Sequence, residues 1–140
     1  MIRIDVAYSL ITTEDKNKIL MVRNIHSSSW SLPGGAVEIE ESLSEAAIRE
    51  AKEETGLDVE LSGICAVNEC IFQGKGEHAV FVTFKAKVKS GKEKITRPHE
   101  IAEIKWVDIE EADRLMPYYI GGFKALIERE AIPYNNQGRR

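Results

Sequence analysis

Apolar and polar residues alternate from Ile2 to Thr12, and a continuous apolar run, Ile19 to Val22, lies within a second stretch from Lys18 to Arg23. Both patterns are those of β-strands, and the turn-forming Glu14-Asp15-Lys16-Asn17 between them predicts a hairpin. A polar loop from Ile25 to Ser29 follows, closed by the breaker cluster Trp30-Ser31-Leu32-Pro33-Gly34-Gly35. The period then changes to 3.6. Leu43, Ala47, Ile48 and Ala51 form an apolar stripe, with Ser42 placed to cap the helix, Glu45 to complete a capping box and Gly56 to end it, which predicts a helix over Leu43 to Thr55. Asp58 to Phe72 and His78 to Lys89 read as two longer strands joined by a turn at Gly74-Lys75-Gly76, a second hairpin, and Ile101 to Val107 as a further strand. Tyr119 to Glu130 carries Phe123, Leu126 and Ile127 on one side and predicts an amphipathic helix. Interleaved strands and helices of this kind argue for an α/β (α+β) fold, a mixed β-sheet between helices.

The chain has 140 residues, enough for one domain with a core of its own, here 1–134, followed by a polar tail, 135–140. Apolar residues make up 43% and charged residues 30%, which excludes the disordered, collagenous and coiled-coil classes. No apolar run approaches the roughly 20 residues that cross a bilayer. The N-terminus has no basic start followed by a continuous apolar stretch, so no signal peptide is expected and the cytoplasm is the expected location. Cys65 and Cys70 lack metal-ligand spacing and are read as reduced strand thiols without a function.

Charge changes the picture more than composition does. Residues 1–70 carry a net charge of −7 and residues 71–140 one of +3, and nine carboxylates crowd between Glu38 and Glu60 with only Arg49 and Lys52 among them. Duplex nucleic acid is a poor partner for such a surface. Within it Glu50, Glu53 and Glu54 stand at i, i+3 and i+4, on one side of the predicted helix. Like charges at this spacing repel, and a hard divalent cation converts the repulsion into binding, since Mg²⁺ or Mn²⁺ takes oxygen ligands. Read alone, the triplet also fits a solvated glutamate-rich helix. The scattered His26, His78 and His99 do not suggest a zinc site, and nucleophile-elbow, phosphate-loop and EF-hand spacings are absent.

The spacing around the triplet decides between the two readings. Gly35, five residues, Glu41, seven residues, then Arg49-Glu50-Ala51-Lys52-Glu53-Glu54-Thr55-Gly56-Leu57 resembles the Nudix box over residues 35–57, with all seven fixed letters present. At ordinary residue frequencies such a match arises by chance on the order of once in 10⁸ windows. Ala51 is smaller than the usual residue at the apolar position and alters no ligand. Trp30 to Gly35 and Trp106-Val107 resemble the flanking segments of the family's MutT-like branch.

The resemblance implies a Nudix α/β/α sandwich and Mg²⁺- or Mn²⁺-dependent hydrolysis of a nucleoside di- or triphosphate-type small molecule, by attack of water on phosphorus. It implies that Glu50, Glu53, Glu54 and the Gly34 carbonyl hold metal, with Glu50 as general base ahead of Glu53. Glu100 is the candidate for a further ligand, with Glu103 as its rival. Arg23 resembles a phosphate-contacting arginine, a role suited to guanidinium geometry. Gly35, Glu41, Arg49 and Gly56 are assigned structural roles in the box, Arg49 pairing with Glu41. Phe72, Tyr8 and Asn68 are candidate base contacts. The ADP-ribose branch's proline and the dinucleoside polyphosphate branch's tyrosine are replaced by Gln73 and Lys75. The expected activity is therefore MutT-like cleavage of a nucleoside triphosphate to monophosphate and pyrophosphate. An ADP-ribose or nucleotide-sugar pyrophosphatase, or a non-catalytic nucleotide sensor, is the alternative; a homodimer stays open.

Overall fold

A computed structural model describes residues Met1–Arg140. The order of elements is β1 (Ile2–Ile11), β2 (Lys18–Asn24), β3 (Trp30–Ser31), β4 (Gly34–Ala36), α1 (Leu43–Thr55), β5 (Asp58–Phe72), β6 (Glu77–Ser90), β7 (Ile101–Asp108), α2 (Ile109–Leu115) and α3 (Gly122–Glu128). A mixed four-stranded sheet runs β4-β1-β6-β5, with β1 parallel to β6, and a three-stranded antiparallel sheet runs β3-β2-β7. The mixed sheet between helices expected from periodicity is present, joined by this second sheet. No helix is long and apolar enough to cross a membrane.

Helix α1 begins and ends where its punctuation places it. The Ser42 hydroxyl accepts from the Glu45 amide at 3.1 Å, the Glu45 carboxylate accepts from the Ser42 amide at 2.9 Å, and Gly56 stops the helix at φ 78°. The β5–β6 hairpin also forms, from Asp58 opposite Ser90 to Phe72 opposite Glu77.

Three expectations need correction. β1 and β2 do not pair along their length as a hairpin: only their ends meet, at the antiparallel Thr12–Ile19 bridge and where the Thr13 amide donates to the Lys18 carbonyl, because β1 spends its hydrogen bonds on β4 and β6 while β2 pairs with β3 and β7. Ile48 is not in the core but 41% exposed; α1 buries the expected Ala47 and Ala51, and with them Ala46, Glu54 and Thr55. The last helix is shorter than Tyr119 to Glu130, since Gly121 and Gly122 both adopt left-handed backbone and the Asp113 carboxylate accepts from the Phe123 amide at 2.8 Å. Helix α2 had no counterpart in the periodicity.

The core has two sides. Ala46 and Ala47 of α1 pack on Ala7, Val82 and Phe84 of the mixed sheet, where small helix residues allow a close approach. Leu10, Ile19, Met21 and Val107 pack against Ala112, Met116, Phe123 and Leu126 of α2 and α3. Leu20 points the other way, into a cluster with Ala51 and Leu57. β2 is thus covered on both faces, which explains its unbroken apolar run. Past α3 the chain returns along β5, where Ile132 bridges Ile64 and Tyr134 sits edge-on to Phe84 at 5.0 Å. The polar end folds back: Arg139 pairs with Glu45 at 3.0 Å.

Candidate active site

The N-terminal edge of the mixed sheet and the second half of α1 meet at Gly34-Gly35. β4 lies antiparallel to β1, with Tyr8 opposite Gly34 and Ala7 opposite Gly35. A side chain at Gly34 would collide with the Ala7 carbonyl and the Tyr8 ring, and one at Gly35 would lie 2.8 Å from the Glu50 carboxyl. Two glycines are needed for backbone and carboxylates to come this close.

Helical spacing then sets the charges. Glu54 is 6% exposed and its Oε1 accepts from the Gly34 amide at 3.0 Å. Burial pushes its pKa up to about 8, opposed by that hydrogen bond and reinforced by the facing Glu50 carboxyl and by Glu100. Burial also raises Glu50, against the pull of Arg49. Arg49 organises the cluster. It grips Glu41 with two prongs, Nε to Oε2 at 2.6 Å and Nη2 to Oε1 at 2.9 Å, and its Nη1 donates to Glu50 at 2.9 Å and to Glu53 at 3.0 Å. Glu41 first and Glu50 after it hold the guanidinium's pKa well above its ordinary value, against the effect of burial.

Of the two rival carboxylates, Glu100 is the one brought to the cluster, where its field reaches Glu54. Glu103 turns to Arg23, which is opposite it in the β2–β7 register and 3.5 Å away. Arg23 makes no ion pair with the α1 carboxylates. Tyr8 and Phe81 stack at 5.7 Å, and Phe81 is opposite Asn68 in the β5–β6 register. The Asn68 amide donates to the Tyr118 carbonyl at 2.9 Å while its Oδ1 is buried without a partner. Phe72 lies apart at the hairpin tip, under Lys75.

A family model described as NUDIX domain matches residues 3–126. The chain belongs to the NUDIX domain family. Its fold superposes on a MutT NUDIX hydrolase from Burkholderia pseudomallei with a TM-score of 0.74 at 24% identity, covering 91% of this chain and 98% of that one. It is 26% identical to a MutT-like protein of Streptomyces ambofaciens, over 79% of this chain and 68% of the relative. It is 35% identical to an ADP-ribose pyrophosphatase of Methanocaldococcus jannaschii, over 56% of this chain and 48% of the relative. The matched stretch is a small part of other curated relatives, 12% of a yeast protein that is far longer and, over only 52 residues, 25% of a Bacillus subtilis protein.

One residue of this NUDIX site was missed in the sequence. Arg97, in the loop between β6 and β7, places Nη2 2.6 Å from Glu53 Oε2 and Nη1 3.4 Å from Glu100 Oε2. Its only sequence mark is its position before Pro98, three residues ahead of Glu100. With Arg49 and Arg97 among them, no three carboxylates are gathered as a finished cation cage. The donor set still fits a hard divalent cation, since Glu50, Glu53, Glu54 and Glu100 offer only oxygen and carry more negative charge than two guanidinium groups balance. Two half-open pockets, at Leu10, Lys85 and Ile127 and at Asp15, Lys124 and Glu128, share no residue with the site.

Proposed function

We propose that this NUDIX protein is a Mg²⁺- or Mn²⁺-dependent hydrolase that cleaves the pyrophosphate bond of a nucleoside triphosphate, releasing a nucleoside monophosphate and pyrophosphate. The observation that carries the reading is the placement of Glu50 and Glu54 against the Gly34-Gly35 backbone, with Glu54 buried and bonded to the Gly34 amide and Glu53 tied to Glu50 through Arg49. Few structural roles call for two half-buried or buried acidic groups pressed against a glycine pair. Glu50, Glu53, Glu54, the Gly34 carbonyl and Glu100 would hold the cation, which supplies charge neutralisation for the phosphate oxygens and polarises water.

The chain's own residues do the rest. Glu50, whose burial raises its basicity, takes the proton from the attacking water; Glu53 is the second choice for that role. The water oxygen bonds to one phosphorus of the bridge as the bridging P–O bond breaks, and the electron pair of that bond leaves on the bridging oxygen with the other phosphorylated fragment. Arg49 and Glu41 fix the loop before α1 to the helix, so that Gly34 and the carboxylates keep their distances. Arg23 would bind a phosphate after leaving Glu103, and the Tyr8–Phe81 stack with the Asn68 amide offers a flat face and a hydrogen-bonding edge to a base.

The likeness to an ADP-ribose pyrophosphatase supports a second reading, in which the same site cleaves a nucleoside diphosphate joined to a sugar. Mass spectrometry of the products separates the two. The protein and its Glu53→Gln variant are incubated with Mg²⁺ and nucleoside triphosphates, oxidised dGTP, ADP-ribose and nucleotide sugars. Monophosphate and pyrophosphate from triphosphates, lost in the variant, are expected. Turnover of ADP-ribose or sugars alone selects the second reading, and nucleotide binding without turnover leaves a sensor.

A further inference from the structure

Arg49 and Arg97 both touch Glu53 Oε2, but they are held differently. Arg49 is locked by its two bonds to Glu41, by Glu50 and by the Ala36 carbonyl. Arg97 has only the two carboxylates, Glu53 and Glu100. The loop that carries it is fixed by other atoms: the Lys94 amide donates to the Thr55 carbonyl at 2.8 Å, and the Thr96 hydroxyl to the Glu53 carbonyl. The Arg97 carbonyl itself accepts from the amides of Glu100 and Ile101 at 3.0 and 2.9 Å. The guanidinium, 35% exposed, can therefore swing without moving the loop.

Its two partners are also the carboxylates that the hydrolase reading gives to the cation, one on α1 and one ahead of β7. A cation on Glu53 and Glu100 takes the negative charge that holds Arg97 in place and repels it. The substrate brings new phosphate oxygens to the same spot, and a guanidinium fork fits phosphate as well as it fits carboxylate.

We propose that Arg97 is an exchange residue: it neutralises Glu53 and Glu100 before the cation arrives, and on loading transfers its guanidinium to a phosphate of the substrate. Loading of the cation and binding of the nucleotide then favour one another, because the first frees the group that the second uses. This inference rests on the hydrolase reading of the site.

The test uses the full chain with Arg97→Ala and Arg97→Lys. Free Mn²⁺ is counted by electron paramagnetic resonance without nucleotide, and binding of an α,β-imido nucleoside triphosphate is measured by calorimetry at saturating Mg²⁺. Losing a half-exposed ion pair should tighten Mn²⁺ binding by about two- to fivefold in Arg97→Ala. Losing a charged hydrogen bond to phosphate should weaken the analogue by about tenfold or more. Arg97→Lys, which keeps the charge and loses the fork, should fall between and serves alone if the alanine variant does not fold. A purely structural residue would not move the two affinities in opposite directions. Unchanged or weaker Mn²⁺ binding overturns the inference, as does unchanged affinity for the analogue. Wild-type protein that binds no Mn²⁺ at all would instead overturn the metal site beneath it.

Discussion

Arg49 and Glu41 are joined by two parallel hydrogen bonds, 2.6 and 2.9 Å long, that pin the loop before α1 to the helix's second half. The Arg49 guanidinium holds the Glu41 carboxyl below the ordinary 4.5 of a glutamate, so the pair stabilises the fold fully above pH 4.5 and less as pH falls through the lowered value. Glu41→Gln should cost about 1–3 kcal/mol at pH 7. Thermal melts from pH 7 down to pH 3 check this: the gap between variant and wild type should close on the acid side, and a constant gap would refute the ionic account.

Glu54 makes the opposite prediction. It is buried beside Glu50, a costly arrangement for two carboxyls, and glutamine keeps the acceptor that the Gly34 amide uses. Glu54→Gln should stabilise the metal-free protein at pH 7.5 by about 1–3 kcal/mol and remove most of the stabilisation that millimolar Mg²⁺ gives the wild type. Differential scanning fluorimetry with and without Mg²⁺ measures both, and a variant less stable than wild type in EDTA would count against an uncompensated carboxylate.

Gly35→Ala should separate activity from folding. The added carbon lies 2.8 Å from the end of the Glu50 side chain, which can move aside, so stability should change by less than about 1 kcal/mol. Displacing Glu50 should lower kcat about tenfold or more. Steady-state kinetics beside a melt tests this; loss of fold would show that the glycine serves packing instead.

Ser42→Ala removes the hydroxyl that accepts from the Glu45 amide and should cost about 1 kcal/mol. A midpoint shift of about 2–4 °C is expected for a domain of this size. Its kcat should be unchanged, since the cap lies at the far end of α1 from Glu53.

Helix α1 was legible because its signals are local. Ser42, Glu45 and Gly56 act within one turn of the backbone they cap, and Glu50, Glu53 and Glu54 share a side by helical geometry alone. One position of its apolar stripe was not. Leu43, Ala47 and Ala51 face the core as the period places them, but Ile48 is 41% exposed, while Ala46 and Glu54 are buried. The short α2 escaped because seven residues give too few turns for a period to show.

The sequence by itself determined the family, the position of the carboxylate triplet and the boundaries of α1, since each depends on spacing along one stretch of chain. Tertiary structure alone decided that β1 runs parallel to β6 rather than pairing with β2, that Glu100 and not Glu103 reaches the carboxylates, and that Arg97 neutralises two of them. These depend on contacts between residues about 40 to 80 positions apart, and such contacts are settled by how sheets and helices bury their faces against one another.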